Sequence, residues 1–256
     1  MTLQRGGGAS AFSDSAAAYA ATMAPSLRPM ARHVVARASL SPAQRVLDVG
    51  TGTGTAAALA RGEGRRVVGL DAAPGMLAIA RDEVPDVEFV DASFDSIPFP
   101  DDAFDVVIGV HALLFADDPV AALREWRRVC APGGRLSMSV PGPGDVVPMS
   151  IFGAIFDRYG IGWGTDYPTL EDLAGWVDAA GWTEIETEAD PATAIVLADA
   201  SAFRTWLTVG ARGRATSDWT DERRESFAHD LMAITPRDAD GAFRIPFGTL
   251  YLAARA

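Results

Sequence analysis

The sequence contains no lysine and no asparagine, and every one of its 22 Lys/Arg-type cations is an arginine. Without lysine there is no Schiff-base nucleophile and no lysine general base. Without asparagine there is no N-glycosylation acceptor. So strict a bias toward arginine points to a GC-rich bacterial genome. One cysteine, Cys130, excludes an internal disulfide and any cysteine-cluster metal site, and no metal is expected. No apolar run reaches the length of a membrane span. The N-terminus lacks the basic-then-apolar layout of a secretory signal, so a cytoplasmic protein is expected. A net charge of −12 argues against nonspecific binding to nucleic acid or to an anionic membrane. There is no basic stripe with interleaved aromatics and no internal repeat. With 256 residues, 48% of them apolar, the chain has enough for one α/β domain with an appended subregion.

Against these absences stands one dense motif. Val46-Leu47-Asp48-Val49 is an apolar strand that runs into Gly50-Thr51-Gly52-Thr53-Gly54, and a helix-forming stretch follows. A strand, a glycine turn and a helix start present backbone N–H groups and a bare backbone face to a ligand. At the carboxyl edge of a parallel sheet the natural occupant is a nucleotide-like cofactor. A dinucleotide fingerprint, G-x-G-x-x-G, needs glycine at position 55, where Thr55 stands, and this counts against a nicotinamide-dependent oxidoreductase. A second strand, Val67 to Asp71, also ends in an acid. Asp71 lies about twenty residues past the turn, where a carboxylate can accept both ribose hydroxyls. Then come a helix (Pro74 to Arg81), a third segment (Val87 to Ser93), a fourth strand (Phe104 to His111) and a helix, turn and fifth strand (Ala122 to Leu136). This alternation predicts a parallel sheet with helices on both faces over residues 45–140.

These segments, in this order, resemble class I S-adenosylmethionine-dependent methyltransferases. The likeness is greatest to small-molecule enzymes such as those of ubiquinone and menaquinone biosynthesis. It implies a Rossmann-like, seven-stranded, mostly parallel sheet, with the last strand antiparallel between the fifth and sixth. It also implies one domain in three stretches: an N-terminal helical arm (1–42), a cofactor-binding core (43–140) and a substrate region with a helical lid insertion (141–256). By that resemblance Gly50, Gly52 and Gly54 admit the methionine and ribose part of the cofactor. Asp48 orders the turn and helps hold the ammonium group. Asp71 binds the ribose. Asp91 meets the adenine amino group, with Asp95 as runner-up, and the next backbone N–H meets the ring. Tyr19 on the arm closes the methionine end. Thr51, Ala72, Met76, Ala92, Ser93 and Val110 complete the expected cofactor contacts. Cys130 falls where related proteins carry an apolar residue and reads as a packed thiol.

The remaining segments are read from their residues. Phe12 to Leu40 is expected to be helical, and Gly6-Gly7-Gly8 to mark a mobile arm. Pro141 to Gly144 is a turn-rich exit, Met149 to Tyr159 a short apolar helix and Gly160 to Gly164 a flexible loop. Thr169 and Asp172 cap a helix that stops at Gly181. A sixth strand spans Thr183 to Glu188, a helical insertion Asp199 to Met232, and a last strand Phe247 to Ala254. His111, at the end of the fourth strand, is the candidate general base, since an imidazole titrates near neutrality. His33 and His229 read as surface or lid residues. Where the family often carries a second histidine, this chain has Phe115, which makes the wall more apolar. Phe152, Phe156, Tyr159 and Trp163, with Trp206, are the candidates to cover an apolar or aromatic acceptor. The expected activity is methyl transfer to oxygen or carbon of a small quinone- or polyketide-like metabolite, as in bacterial secondary metabolism. The alternatives are a family member that uses bound S-adenosylmethionine for another reaction, or a noncatalytic protein that binds it. A homodimer is compatible with this reading.

Overall fold

The computed structural model of the chain describes residues 8–142, 150–162 and 167–256. Two helices lead, α1 (Gly8–Asp14) and α2 (Ala16–Arg37). Strands and helices then alternate as β1 (Arg45–Val49), α3 (Thr55–Ala60), β2 (Arg66–Asp71), α4 (Pro74–Glu83), β3 (Glu88–Asp91), β4 (Phe104–Val110), α5 (Pro119–Val129) and β5 (Cys130–Pro141). After β5 come α6 (Gly153–Tyr159), α7 (Leu170–Ala179), β6 (Thr183–Asp190), β7 (Ala194–Leu197), α8 (Ala200–Leu207), α9 (Gly210–Ala215), α10 (Asp221–Ile234), β8 (Phe243–Pro246) and β9 (Thr249–Arg255). Of the expected features, Trp163, Gly164, Met149 and most of the N-terminal glycine run lie outside the described residues; Gly8 opens α1.

The main sheet has seven strands in the order β3-β2-β1-β4-β5-β9-β6. β1 to β5 pair in parallel, and β9 runs antiparallel to both β5 and β6. The central strands are apolar on both faces because helices cover both. Within β1, Val46 joins the layer formed with α2, α3 and α8, through Val34, Ala57 and Phe203. Its neighbours Leu47 and Val49 join the opposite layer, with Trp126 of α5 and Leu173 of α7. Helix starts carry their caps: Asp118 accepts from the Ala121 N–H at 3.0 Å, and Thr169 and Asp172 form the expected reciprocal box. No described helix is long and apolar enough to cross a membrane.

Three features depart from the sequence reading. The arm breaks at Ser15 into two helices, while α2 continues through Pro25 and Pro29. Both prolines are exposed, so water can satisfy the carbonyls they leave unpaired. The insertion is framed by a second, two-stranded sheet of β7 and β8, with Ile195 opposite Ile245. The last strand begins at Thr249, because Phe247-Gly248 turns the chain between β8 and β9, with Gly248 at φ +54°.

Candidate active site

The site lies at the carboxyl ends of the first four strands, where strand order reverses between β1 and β4. Val49 delivers the chain into a turn whose three glycines, Gly50, Gly52 and Gly54, all have positive φ. A Cβ at Gly50 would collide with Ala112, just past β4. A Cβ at Gly52 would meet only the Tyr19 ring, 3.9 Å away. The turn therefore packs tightly on one side and opens beneath Tyr19 on the other.

The carboxylate of Asp48 is 1% exposed. Its Oδ2 accepts from the Thr51 hydroxyl at 2.7 Å and the Ala57 N–H at 2.9 Å, tying the turn to the start of α3. Its Oδ1 has no partner. Burial pushes this carboxyl up to about 7, against the pull of the two hydrogen bonds. Asp71, at the end of β2, accepts from the Gly52 N–H at 2.8 Å and the Ala73 N–H at 2.9 Å, and burial raises its pKa too. Asp91 stands opposite Asp71 in the β2–β3 register and is exposed, as is Ala72. One expectation fails here. The Ala92 N–H donates to the Asp71 carbonyl at 3.2 Å, because the ladder extends one residue past β3, so it is not free to face a ring.

The arm closes over this row of acids. Burial, and then the charges of Asp71 and Asp48, raise the Tyr19 phenol pKa. Phe12 meets Tyr19 edge-on at 6.2 Å and Phe115 at 5.1 Å. Ser13 Oγ accepts from the Gly75 N–H at 2.8 Å, which fastens α1 to the first turn of α4. Met76 is buried beneath the arm with Ala16 and Ala73. Phe12 and Ser13 escaped the sequence reading, because the partners that tie them to the rest of the fold, Phe115 and Gly75, sit more than sixty positions away.

Acid, glycine turn and second acid fit a nucleoside-bearing amino acid: a buried carboxylate oxygen lacks a partner, and the open face lies over Gly52. Known proteins agree. A family described as a methyltransferase domain matches residues 47–138. Over 172 residues the chain is 32% identical to the demethylmenaquinone methyltransferase of Renibacterium salmoninarum, covering 60% of this chain and 73% of that one. The chain belongs to the class I S-adenosylmethionine-dependent methyltransferases. It is also 34% identical over 138 residues to the malonyl-[acyl-carrier protein] O-methyltransferase of Serratia marcescens, and spans about half that relative's length, 54% of each chain being covered. Among solved structures, the [4+2]-cyclase SpnF shares the fold, with a TM-score of 0.60 at 24% identity over 89% of this chain and 80% of that one.

In this methyltransferase the acceptor side differs from the aromatic cover that the sequence suggests. Phe152 and Phe156 are 0% exposed and pack edge-on against each other at 5.8 Å. Phe152 meets Phe203 and Trp206, and Phe156 meets Phe227. Their four-residue spacing puts both on the face that α6 turns to the insertion, so they are core rather than open wall. The Tyr159 hydroxyl donates to Asp230 at 2.7 Å, and its ring stacks on Trp219. Phe115 remains 41% exposed at the mouth.

Val110 ends β4, and His111, expected as the last residue of that strand, lies just past it because its positive φ turns the chain. The His111 N–H donates to the Ser139 carbonyl on β5 at 2.9 Å, and φ is +57°, a region histidine tolerates better than most residues. Its ring stacks on Phe247 at 5.3 Å with an interplanar angle of 8°. The ring is buried, and both His111 Nε2 and the neighbouring Ser139 Oγ lack partners. Burial pulls the imidazole down to about 3, so it is neutral near pH 7. His33 bridges α2 to Glu188 of β6 at 3.0 Å, and its ring lies 4.2 Å from that of Tyr251 on β9.

Proposed function

We propose that the chain methylates an oxygen or carbon of a small, largely apolar or aromatic metabolite of quinone or polyketide type. One observation carries the cofactor side of this reading: Asp48 Oδ1, buried and unpartnered, beside a glycine turn open beneath Tyr19. Bound S-adenosylmethionine supplies an activated methyl group; the residues have to position it and exclude water. Asp48 Oδ1 accepts from the ammonium group. Asp71 accepts one backbone hydrogen bond on each oxygen, from the Gly52 and Ala73 N–H groups, which leaves lone pairs for the ribose hydroxyls. Asp91 meets the adenine amino group. Tyr19 shuts the methionine end.

On the acceptor side, His111 Nε2 accepts a hydrogen bond from the nucleophile and takes its proton as the new bond forms. A conjugate acid near 3 makes a weak base, so orientation is the larger share of its work. One relative's name supports a quinone acceptor, the demethylmenaquinone methyltransferase, while the malonyl-[acyl-carrier protein] O-methyltransferase is named for an acyl group on a carrier protein.

The test is calorimetric titration with S-adenosylmethionine and S-adenosylhomocysteine, with NADH as control. Micromolar binding of the first two is expected, and binding of NADH alone sinks the reading. Mass spectrometry on phenolic, quinone and polyketide acceptors then looks for one added methyl. A second reading, a reaction that keeps the cofactor intact, is favoured by the dense aromatic packing of the acceptor side and its weakly basic imidazole. A product of unchanged mass with no S-adenosylhomocysteine released distinguishes it.

A further inference from the structure

Arg212, on α9, is a guanidinium without a carboxylate. Its Nε and Nη2 both donate to the Trp206 carbonyl at a long 3.3 Å, and its charge sits over the Trp206 ring at 4.1 Å. Among the described residues no acid pairs with it, in a chain where most other structured arginines have one or a set of carbonyls. Among the described residues Nη1 donates to none. The indole beneath is 0% exposed, and its Nε1–H also lacks a partner. Arg212 is partly buried, and burial lowers its pKa to about 10. An uncompensated charge and a buried unpaired donor both cost stability, and a ligand that reached both would relieve both.

The position is that of an acceptor subsite. The Gly210 N–H, two residues earlier, donates to Ser15 Oγ at 3.0 Å, and a Cβ at Gly210 would touch the Phe12 ring at 3.3 Å. This ties α9 to the arm that carries Tyr19 over Gly52. On the other side Arg212 feels the phenol of Tyr167. The next residue, Pro168, has its carbonyl 3.1 Å from where a Cβ of Gly142 would lie, at the carboxyl end of β5. Ser139 and the partner of its carbonyl, His111, belong to that same edge.

We propose that Arg212 and the Trp206 Nε1–H form an anion subsite that binds a carboxylate of the methyl acceptor. The proposal rests on the methyl-transfer reading above and names its substrate class: an apolar or aromatic frame that bears one acid. A single guanidinium suits a monoanion rather than a phosphate dianion. In a chain of net charge −12, such a subsite is what admits an anionic substrate at all.

The test uses the full chain saturated with S-adenosylhomocysteine. Binding of aromatic and aliphatic monocarboxylates, such as 3,4-dihydroxybenzoate and hexanoate, is compared with that of their neutral amides, and with inorganic phosphate. The parent is expected to bind acids at least about tenfold more tightly than amides, the scale of a charge-assisted hydrogen bond. Arg212→Gln is expected to erase that preference, Arg212→Lys to keep part of it, and Trp206→Phe to reduce it. Acids and amides binding alike in the parent, no acid binding in the parent, or an equal preference in Arg212→Gln overturns the proposal. If Arg212→Gln does not fold, a full preference in Arg212→Lys together with Trp206→Phe does the same. Loss of S-adenosylhomocysteine binding by the parent overturns the cofactor reading instead, so the two failures are separate.

Discussion

The two ends of the cleft solve opposite problems. Around the glycine turn the polar groups are largely engaged with one another: Asp48 with Thr51 and Ala57, Asp71 with Gly52 and Ala73. On the side proposed to hold the acceptor, buried polar atoms stand alone: His111 Nε2, Ser139 Oγ and Trp206 Nε1. A site shaped for one fixed cofactor is built with its partners in place and a single acceptor held open. A site whose ligand brings its own hydrogen-bonding groups is left short of partners, and that shortage carries its specificity.

The largest effect expected from this contrast is at His111. His111→Ala should slow methyl transfer about 100-fold, the usual range for a positioned acid–base group. S-adenosylhomocysteine affinity should hold, because the ring faces Phe247 rather than the glycine turn. Equal turnover numbers for variant and parent would reduce His111 to a strained lining residue. Next in size is Asp71→Ala, which removes the acceptor for two backbone N–H groups as well as the ribose contact. Calorimetry should show S-adenosylmethionine binding weakened by about 1–3 kcal/mol, the cost of leaving such groups unsatisfied. Unchanged affinity would dissolve the ribose assignment and, with it, the engaged-versus-open distinction.

A pH titration sharpens the comparison at Asp48. Its folded pKa, about 7, lies above its unfolded value of 3.8. The folded chain therefore holds a proton that the unfolded chain has lost. The stability this contributes is complete below about pH 4 and is lost as pH rises through 7. The ammonium of the cofactor prefers the ionised carboxylate, so binding should run the other way. S-adenosylhomocysteine affinity is expected to rise roughly tenfold between pH 5.5 and 7.5, and Asp48→Asn should flatten the curve. A flat curve in the parent would mean that Oδ1 meets no cation.

The same contrast explains what was legible in the sequence. The turn and its acids lie within about 25 residues (Asp48 to Asp71), and their local chemistry demands glycine and carboxylate at set intervals. The alternation predicts the parallel part of the sheet, and the resemblance to the methyltransferases implies the seven strands and the antiparallel insertion of the last one, which the sheet has. The acceptor side depends on contacts between distant segments. Phe152 looks like an aromatic free to line a pocket until α8 supplies Phe203 and Trp206 to bury it. β7 and β8 are four residues each and separated by the 45 residues between Leu197 and Phe243, so neither shows strand periodicity strong enough to be read alone. Arg212 was one arginine among 22, and nothing in the chain sequence marks it as lacking an acid.

The smallest expected effect tests whether the arm belongs to the engaged end. Phe12 joins Tyr19 to Phe115 edge-to-face and abuts Gly210, so it links the cover over the cofactor to the insertion. Phe12→Ala should weaken S-adenosylhomocysteine binding by about 0.5–1.5 kcal/mol, the worth of one or two aromatic contacts. Ser13→Ala, which releases the Gly75 N–H, should fall in the same range or below it. The informative measurement is the dissociation rate by stopped-flow. If the arm closes over bound cofactor, both variants should speed release and leave association nearly unchanged. A slower association with an unaltered release rate would place α1 outside the closed site. The aromatic link would then serve packing between the arm and the insertion alone.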